Sequence, residues 1–208
     1  MRFRTTPRDF RLWIMDLHAT VKRDHTTLPS IAKALIKLEH DGVHAVATDR
    51  YIVVDSLLKA GSPEDYASDD WLSFTPALLS LQSWELLKSN ASSVYAVEVT
   101  DKGLGVFLDQ AAVHGDLLQD AAPSFVVEFS PDEGGNFPNL DQLIENAHKN
   151  ERAINDTGRD GFRMELVKHI KGVMIEPRSI GFGKPGFIHT HPPRATGIIM
   201  PVRIGLEG

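Results

Sequence analysis

The stretch Lys33-Ala34-Leu35-Ile36-Lys37-Leu38-Glu39-His40-Asp41-Gly42-Val43-His44-Ala45-Val46-Ala47 decides how this chain folds. Ala34, Ile36 and Leu38 alternate with Lys33, Lys37 and Glu39, the pattern of a strand with one polar face. Asp41-Gly42 follows, a dipeptide suited to the positive φ of a tight hairpin turn. A second strand is expected from about Val43 to Leu58, rich in β-branched residues and long enough to bend midway. An antiparallel sheet therefore forms early in the chain.

Upstream, Phe10, Trp13, Ile14, Leu17 and Val21 fall on one stripe of a helix, which predicts an amphipathic helix over about 8–22. Pro7 precedes it, where proline is tolerated. Downstream, 61–70 is polar and reads as a loop. Trp71-Leu72-Ser73-Phe74 reads as a short strand, and Thr75-Pro76 as the start of a helix whose buried side carries Leu78, Leu79, Leu81, Leu86 and Leu87. Strands are expected over 94–100 and 104–108, joined by Asp101-Lys102-Gly103, and then over 112–118. Strand, helix and a run of strands thus occurs twice, which is architectural information. Phe125 to Phe129 reads as a further strand, 132–136 as a turn, and Asn139 as the cap of a short helix. Residues 145–161 are charged and poor in apolar side chains, the composition of a mobile connector. Phe162, Leu166, Val167 and Ile170 mark a third amphipathic helix, followed by strands at about 173–182, 186–191 and 196–204.

Composition narrows the function. The chain has 208 residues, 42% hydrophobic and 24% charged, which excludes a wholly disordered protein. It has no cysteine, so a disulfide framework, a Cys-based zinc site and a thiol nucleophile are excluded. A net charge of −6 argues against a simple nucleic-acid coat. The first 25 residues nevertheless carry six basic side chains against three acidic ones. No run approaches the roughly 18 apolar residues of a membrane span. Asp9 and Arg11 interrupt the only candidate for a cleaved signal. A soluble, cytoplasmic protein is expected.

Three segments, in order, resemble one family. Thr27-Leu28-Pro29 opens a strand pair that runs into Ala45-Val46-Ala47-Thr48-Asp49-Arg50-Tyr51. Asn136-Phe137-Pro138-Asn139-Leu140-Asp141 follows, and Ile198-Ile199-Met200-Pro201-Val202-Arg203-Ile204 stands near the end. Together they resemble bacterial sliding clamps, the processivity subunits of replicative DNA polymerases, over about 1–140 and 162–205. The resemblance implies an α+β DNA-clamp fold of repeated βαβββ half-units with helices on one face of antiparallel sheets. It implies a clamp-like domain over 1–122, a connector with a short helix over 123–161, and over 162–208 a partial domain like the C-terminal half of a last clamp domain. The chain departs from the family where the residues after Thr48-Asp49 are Arg50, Tyr51 and Ile52, in place of glycine, histidine and arginine. A shortened clamp of phage or mobile-element type, or a clamp-derived paralogue, fits these departures.

The family holds short peptides of polymerases and clamp loaders in an apolar pocket. The matched positions are Thr48, Arg50, Tyr51, Ile52 and Val53 with Met200, Pro201, Val202, Arg203 and Ile204. The family also encircles duplex DNA with basic side chains that carry no sequence readout. Candidates for that face are Arg4, Arg8, Arg11, Lys22, Arg23, His25, Lys168 and Lys171. A homo-oligomeric ring, or a non-ring adaptor or decoy that keeps the peptide pocket, are the two assemblies consistent with the length. No catalytic residue, cofactor or resident metal is assigned. An enzymatic alternative rests on His189 and His191 as a metal pair, with His169, Glu165 or Asp160 completing it. Asp49 and Asp55, read as lying on one strand face, have no catalytic partner, and no phosphate-cradling loop or hydrolase motif is present.

Overall fold

The computed structural model describes residues 1–23, 31–59, 69–114, 117–130, 138–139, 142–143, 145, 160–161, 163–176, 186–200 and 202–203. The first unit is β1 (Arg2–Arg4), α1 (Pro7–Arg23), β2 (Lys33–Glu39), β3 (Gly42–Thr48) and β4 (Ile52–Lys59). The second is β5 (Ala77–Ser80), α2 (Leu81–Asn90), β6 (Ala96–Val99), β7 (Gly103–Phe107) and β8 (Phe125–Glu128). After β9 (Asp160–Gly161), the described residues of a third group include β10 (Val173–Glu176), β11 (Gly186–Thr190) and β12 (Ala195–Ile199), then β13 (Val202–Arg203). Among the described residues, no helix is long and apolar enough to cross a membrane.

Each of the first two units lends its opening strand to the other. β1 pairs with β6, giving a sheet ordered β1-β6-β7-β8, and β5 pairs with β2. The third group adds to the free edge of β4, so the larger sheet runs β10-β11-β12-β4-β3-β2-β5. β9 and β13 form a separate pair. α1 lies against α2 and against β3 and β4. Its apolar stripe is fully buried at Phe10, Trp13, Ile14, Leu17 and Val21. Each such side chain contributes roughly 1.5–3 kcal/mol of transfer free energy. The core continues through Val97, Val99, Leu104 and Val106 of the smaller sheet, so one core serves both sheets.

A buried polar knot ties the third group to the first. Arg194 donates to Asp16 through Nε (2.6 Å to Oδ2) and Nη2 (2.9 Å to Oδ1). Ser56 Oγ also donates to Asp16 Oδ2 at 3.1 Å, and Trp13 Nε1 donates to the Ser56 carbonyl at 3.0 Å. His169 Nε2 lies 3.0 Å from the Asp16 carbonyl oxygen.

The α+β class, the strand-helix-strands repeat, α1, the β2–β3 hairpin and the 94–108 hairpin stand as expected. The expected long strand over 43–58 is instead two strands, because the backbone turns at Asp49-Arg50-Tyr51. Trp71–Ser73 of the expected strand lies in a 3₁₀ turn (Asp69–Ser73), and the strand lies at β5. Leu78 and Leu79 pair with Leu35 and Ala34 of β2, so tertiary pairing takes them out of the helix. Ser80, not Thr75, caps α2, its Oγ accepting from Ser83 N at 3.1 Å. α2 buries Trp84 and Leu87 and leaves Leu86 exposed.

The expected 112–118 strand is a 3₁₀ turn (Ala111–Val113) and α3 (Leu117–Asp120). β7 is already flanked by β6 and β8, so that position in the sheet is taken. Arg4 and Arg2 donate to the Val113 and Leu118 carbonyls. The third helix is reduced to a 3₁₀ turn at Met164–Leu166, although Leu166, Val167 and Ile170 are buried as its stripe requires. Asn139 does cap, its Oδ1 accepting from Gln142 N at 3.1 Å. The loop up to residue 68, the turn at 132–136 and nearly all of 145–161 lie outside the described residues.

Candidate functional site

The hairpin between β3 and β4 is built by two side chains. Asp49 is fully buried, and its Oδ1 accepts from Tyr51 N and Ile52 N, both at 3.0 Å. Thr48 Oγ1 donates to the Ile52 carbonyl at 2.9 Å and accepts from Arg50 N at 3.3 Å. These bonds hold Arg50 at φ 76°, in the left-handed region that disfavours residues with a Cβ. Its guanidinium sits 5.5 Å from the centre of the Tyr51 ring, a cation–π distance. Asp49 is thus the anchor of a turn and Asp55 lies on β4, which removes the single strand face on which the two were read together.

The C-terminal segment meets this hairpin directly. Ile198 pairs with Val53 and Ile199 with Ile52, and Met200 N donates to the Tyr51 carbonyl at 2.7 Å. Alternation then sorts the side chains. Ile52 and Ile199 face the helix-covered core. Val53, Ile198 and Val46 face the other way and form a second, small apolar cluster with the half-buried Leu35 and Phe187. Tyr51 (42% exposed) and Met200 (38% exposed) stand at its rim. The result is a buried apolar cluster flanked by an exposed aromatic ring, thioether and arginine, residue types common at binding surfaces. Of the expected pocket residues, Thr48, Arg50, Tyr51, Val53 and Met200 come together here, and Ile52 lies under the helices. Val202 and Arg203 have their backbone in β13, and Pro201 and Ile204 lie outside the described residues.

The expected basic residues separate into groups. Arg8, Arg11 and Lys171 line one cleft of about 880 Å³, with Lys59, His191 and Arg194. The cleft runs between the start of α1 and the turn after β11. Arg194 is committed to Asp16 there, and Asp9 is the acid on the wall. Arg4 lies elsewhere, its Nε donating to the Val113 carbonyl at 3.0 Å. Lys22 lies at the far end of α1, about 21 Å from Arg8 by helical rise, and 3.7 Å from Glu85 Oε1. Lys168 is exposed and does not line the cleft. Arg23 closes α1, its side chain undescribed, and His25 lies outside the described residues. Lys59 is a cleft residue that the sequence reading missed; its place beside the α1 arginines depends on β4 running back under α1.

His189 lies within β11, whereas His191 lies past its end and lines the cleft. Among the described residues, the group with metal-ligand geometry is Glu39, Asp41 and His44, not the His189–His191 pair.

No protein-family model and no curated protein matches the chain. Solved structures do. The beta subunit from DNA polymerase of Streptococcus pyogenes matches with a TM-score of 0.60 at 15% identity, over 98% of this chain and 66% of that one. Caulobacter crescentus pol III beta matches at 0.62 and 11%, over 98% and 66%. A DnaN sliding clamp from Bartonella birtlesii, solved with griselimycin bound, matches at 0.57 and 13%, again over 98% and 66%. The chain spans about 66% of the length of these structures. At such identities the likeness is one of fold: the chain has the α+β fold of the bacterial sliding clamps along nearly its whole length.

Proposed function

We propose that this protein is a sliding-clamp-like processivity factor for a DNA polymerase, acting in the cytoplasm by binding and not by catalysis. The Tyr51–Met200 surface takes short linear peptides of polymerases and clamp loaders. Apolar peptide side chains lie over Val53 and Ile198, against the Tyr51 ring, and the flexible Met200 thioether adapts to their shape. The cleft with Arg8, Arg11 and Lys171 meets phosphates of duplex DNA without reading sequence. The observation that carries this reading is the 2.7 Å bond from Met200 N to the Tyr51 carbonyl. It joins two segments far apart in sequence, each of which resembles a clamp motif.

In this reading 1–122 is a clamp-like domain, 123–161 a connector and 162–208 a partial last domain. Ring closure would use strand edges, and β8 and β10 stand at the edges of their sheets with Val126 and Met174 exposed. The second reading is a non-ring adaptor or decoy that captures the same peptides. It is favoured by a third group whose described residues form strands and a 3₁₀ turn.

A fluorescent clamp-binding peptide is expected to bind, and to lose affinity when Met200 and Pro201 are replaced by alanine. Unchanged affinity removes the pocket. Light scattering at micromolar protein, with and without DNA, separates the two assemblies: a strict monomer in both leaves the adaptor.

A further inference from the structure

The β2–β3 hairpin carries a cluster that neither the apolar surface nor the cleft uses. His44 lies on β3 opposite Lys37 of β2 and Leu57 of β4. Its Nδ1 is 2.9 Å from Asp55 Oδ1 on β4. Its Nε2 is 2.9 Å from Asp41 Oδ1 in the turn and 3.9 Å from Glu39 Oε2 at the end of β2. One ligand atom each from Glu39, Asp41 and His44 can be chosen so that all lie within 4.8 Å of one another. Ligands bound at about 2.0–2.2 Å from one ion stand about 3.0–3.5 Å apart, so small side-chain shifts close the set.

We propose that this hairpin binds a divalent transition-metal ion of the zinc or cobalt type between His44 Nε2 and the carboxylates of Asp41 and Glu39, with Asp55 holding the imidazole from behind. Asp55 is the feature that distinguishes this group from a merely acidic turn. A carboxylate on the far ring nitrogen fixes the tautomer that leaves Nε2 free to coordinate, the arrangement behind most metal-bound histidines. It comes from a different strand and is only 19% exposed, so the ring is held by the sheet and not by the turn. An imidazole with two carboxylates suits borderline ions better than calcium or magnesium, which prefer all-oxygen sites. Glu39 and Asp41, at 45% and 36% exposed, leave the outer side open to water ligands.

The test is calorimetric titration of the full chain with zinc chloride near pH 8. One ion per chain is expected. His44→Asn should lower its affinity at least 100-fold. Asp55→Asn, which removes no ligand, should lower it about 10- to 100-fold. His189→Asn should leave it unchanged. Cobalt should give a visible absorption band that His44→Asn abolishes. Absence of a stoichiometric ion, wild-type affinity in His44→Asn, or loss of binding in His189→Asn overturns the site. If His44→Asn fails to fold by circular dichroism, Asp41→Asn replaces it and must weaken binding at least tenfold. The outcome is independent of the clamp reading, since it involves neither peptide nor DNA.

Discussion

The two faces of the seven-stranded sheet share the same strands and differ in nearly everything else. The face under α1 carries Ala45, Ile52, Val54 and Ile199 in a core that continues into the smaller sheet. The other face carries a small buried apolar cluster of Val46, Val53 and Ile198, with Tyr51 and Met200 half open beside it. One register produces both, because alternate residues of β4 and β12 point opposite ways. One face is buried beneath α1; on the other, the exposed atoms belong to residues such as Tyr51 and Met200 beside the buried cluster.

The difference can be broken from the covered side first. Trp13 is fully buried against Phe10 and Trp84, with ring centroids 5.5 and 5.2 Å away. Trp13→Ala should cost about 3–5 kcal/mol in urea unfolding. A loss below 1 kcal/mol would show that α1 is not the keystone of the covered face. Gly197 comes next. A Cβ there would meet the Val53 carbonyl oxygen at 1.9 Å, across the β12–β4 pairing that both faces share. Gly197→Ala should cost up to about 3 kcal/mol. It should also weaken peptide binding by displacing Met200 from Tyr51, so intact binding with reduced stability would separate the junction from the surface.

Tyr51→Ala probes the open face. Stability should change by no more than about 0.5 kcal/mol, as for other surface positions. Peptide affinity should fall about tenfold, roughly 1.4 kcal/mol. A large fall in melting temperature with unaltered peptide affinity would make Tyr51 a structural residue. The smallest effect is expected at the α1–α2 seam. His18 Nε2 lies 2.8 Å from Glu85 Oε1 and holds the carboxyl below its ordinary pKa of 4.5, with smaller help from Lys88 and Lys22 and against the effect of burial. A lowered carboxylate pKa stabilises the fold above its unfolded value, and that contribution is lost as pH falls through the folded value. Glu85→Gln should therefore lower the melting temperature slightly at neutral pH, and the gap to the unmodified chain should close in acid. A gap that persists in acid would assign the effect to packing.

Local signals were the legible ones. The stripe of α1 and the alternation of β2 are complete within a few turns or residues, so they could be read directly. A bend within 43–58 was legible from length, but its place at Asp49 was not, because Thr48 and Ile52-Val53 are β-branched on either side and no glycine marks the break. β5 and α2 form one leucine-rich run, and only the pairing of β5 with β2 divides it. At the candidate site, the two matched motifs were visible, but not that alternation would send Ile52 inward and leave Tyr51 out. Asp16 with Arg194, 178 residues apart, and His44 with Asp55 had no local signature at all.

The exchange of opening strands has a consequence for synthesis. β1 is made well before its partner β6, which begins at Ala96. At about 5–20 residues per second, β1 waits roughly 5–20 s for a partner to be translated. The outer edge of β4 waits longer, since β12 follows about 140 residues later. For that interval the nascent chain presents an unpaired strand edge beside an uncovered apolar face, the kind of surface that holdase chaperones and misdirected strands both seek.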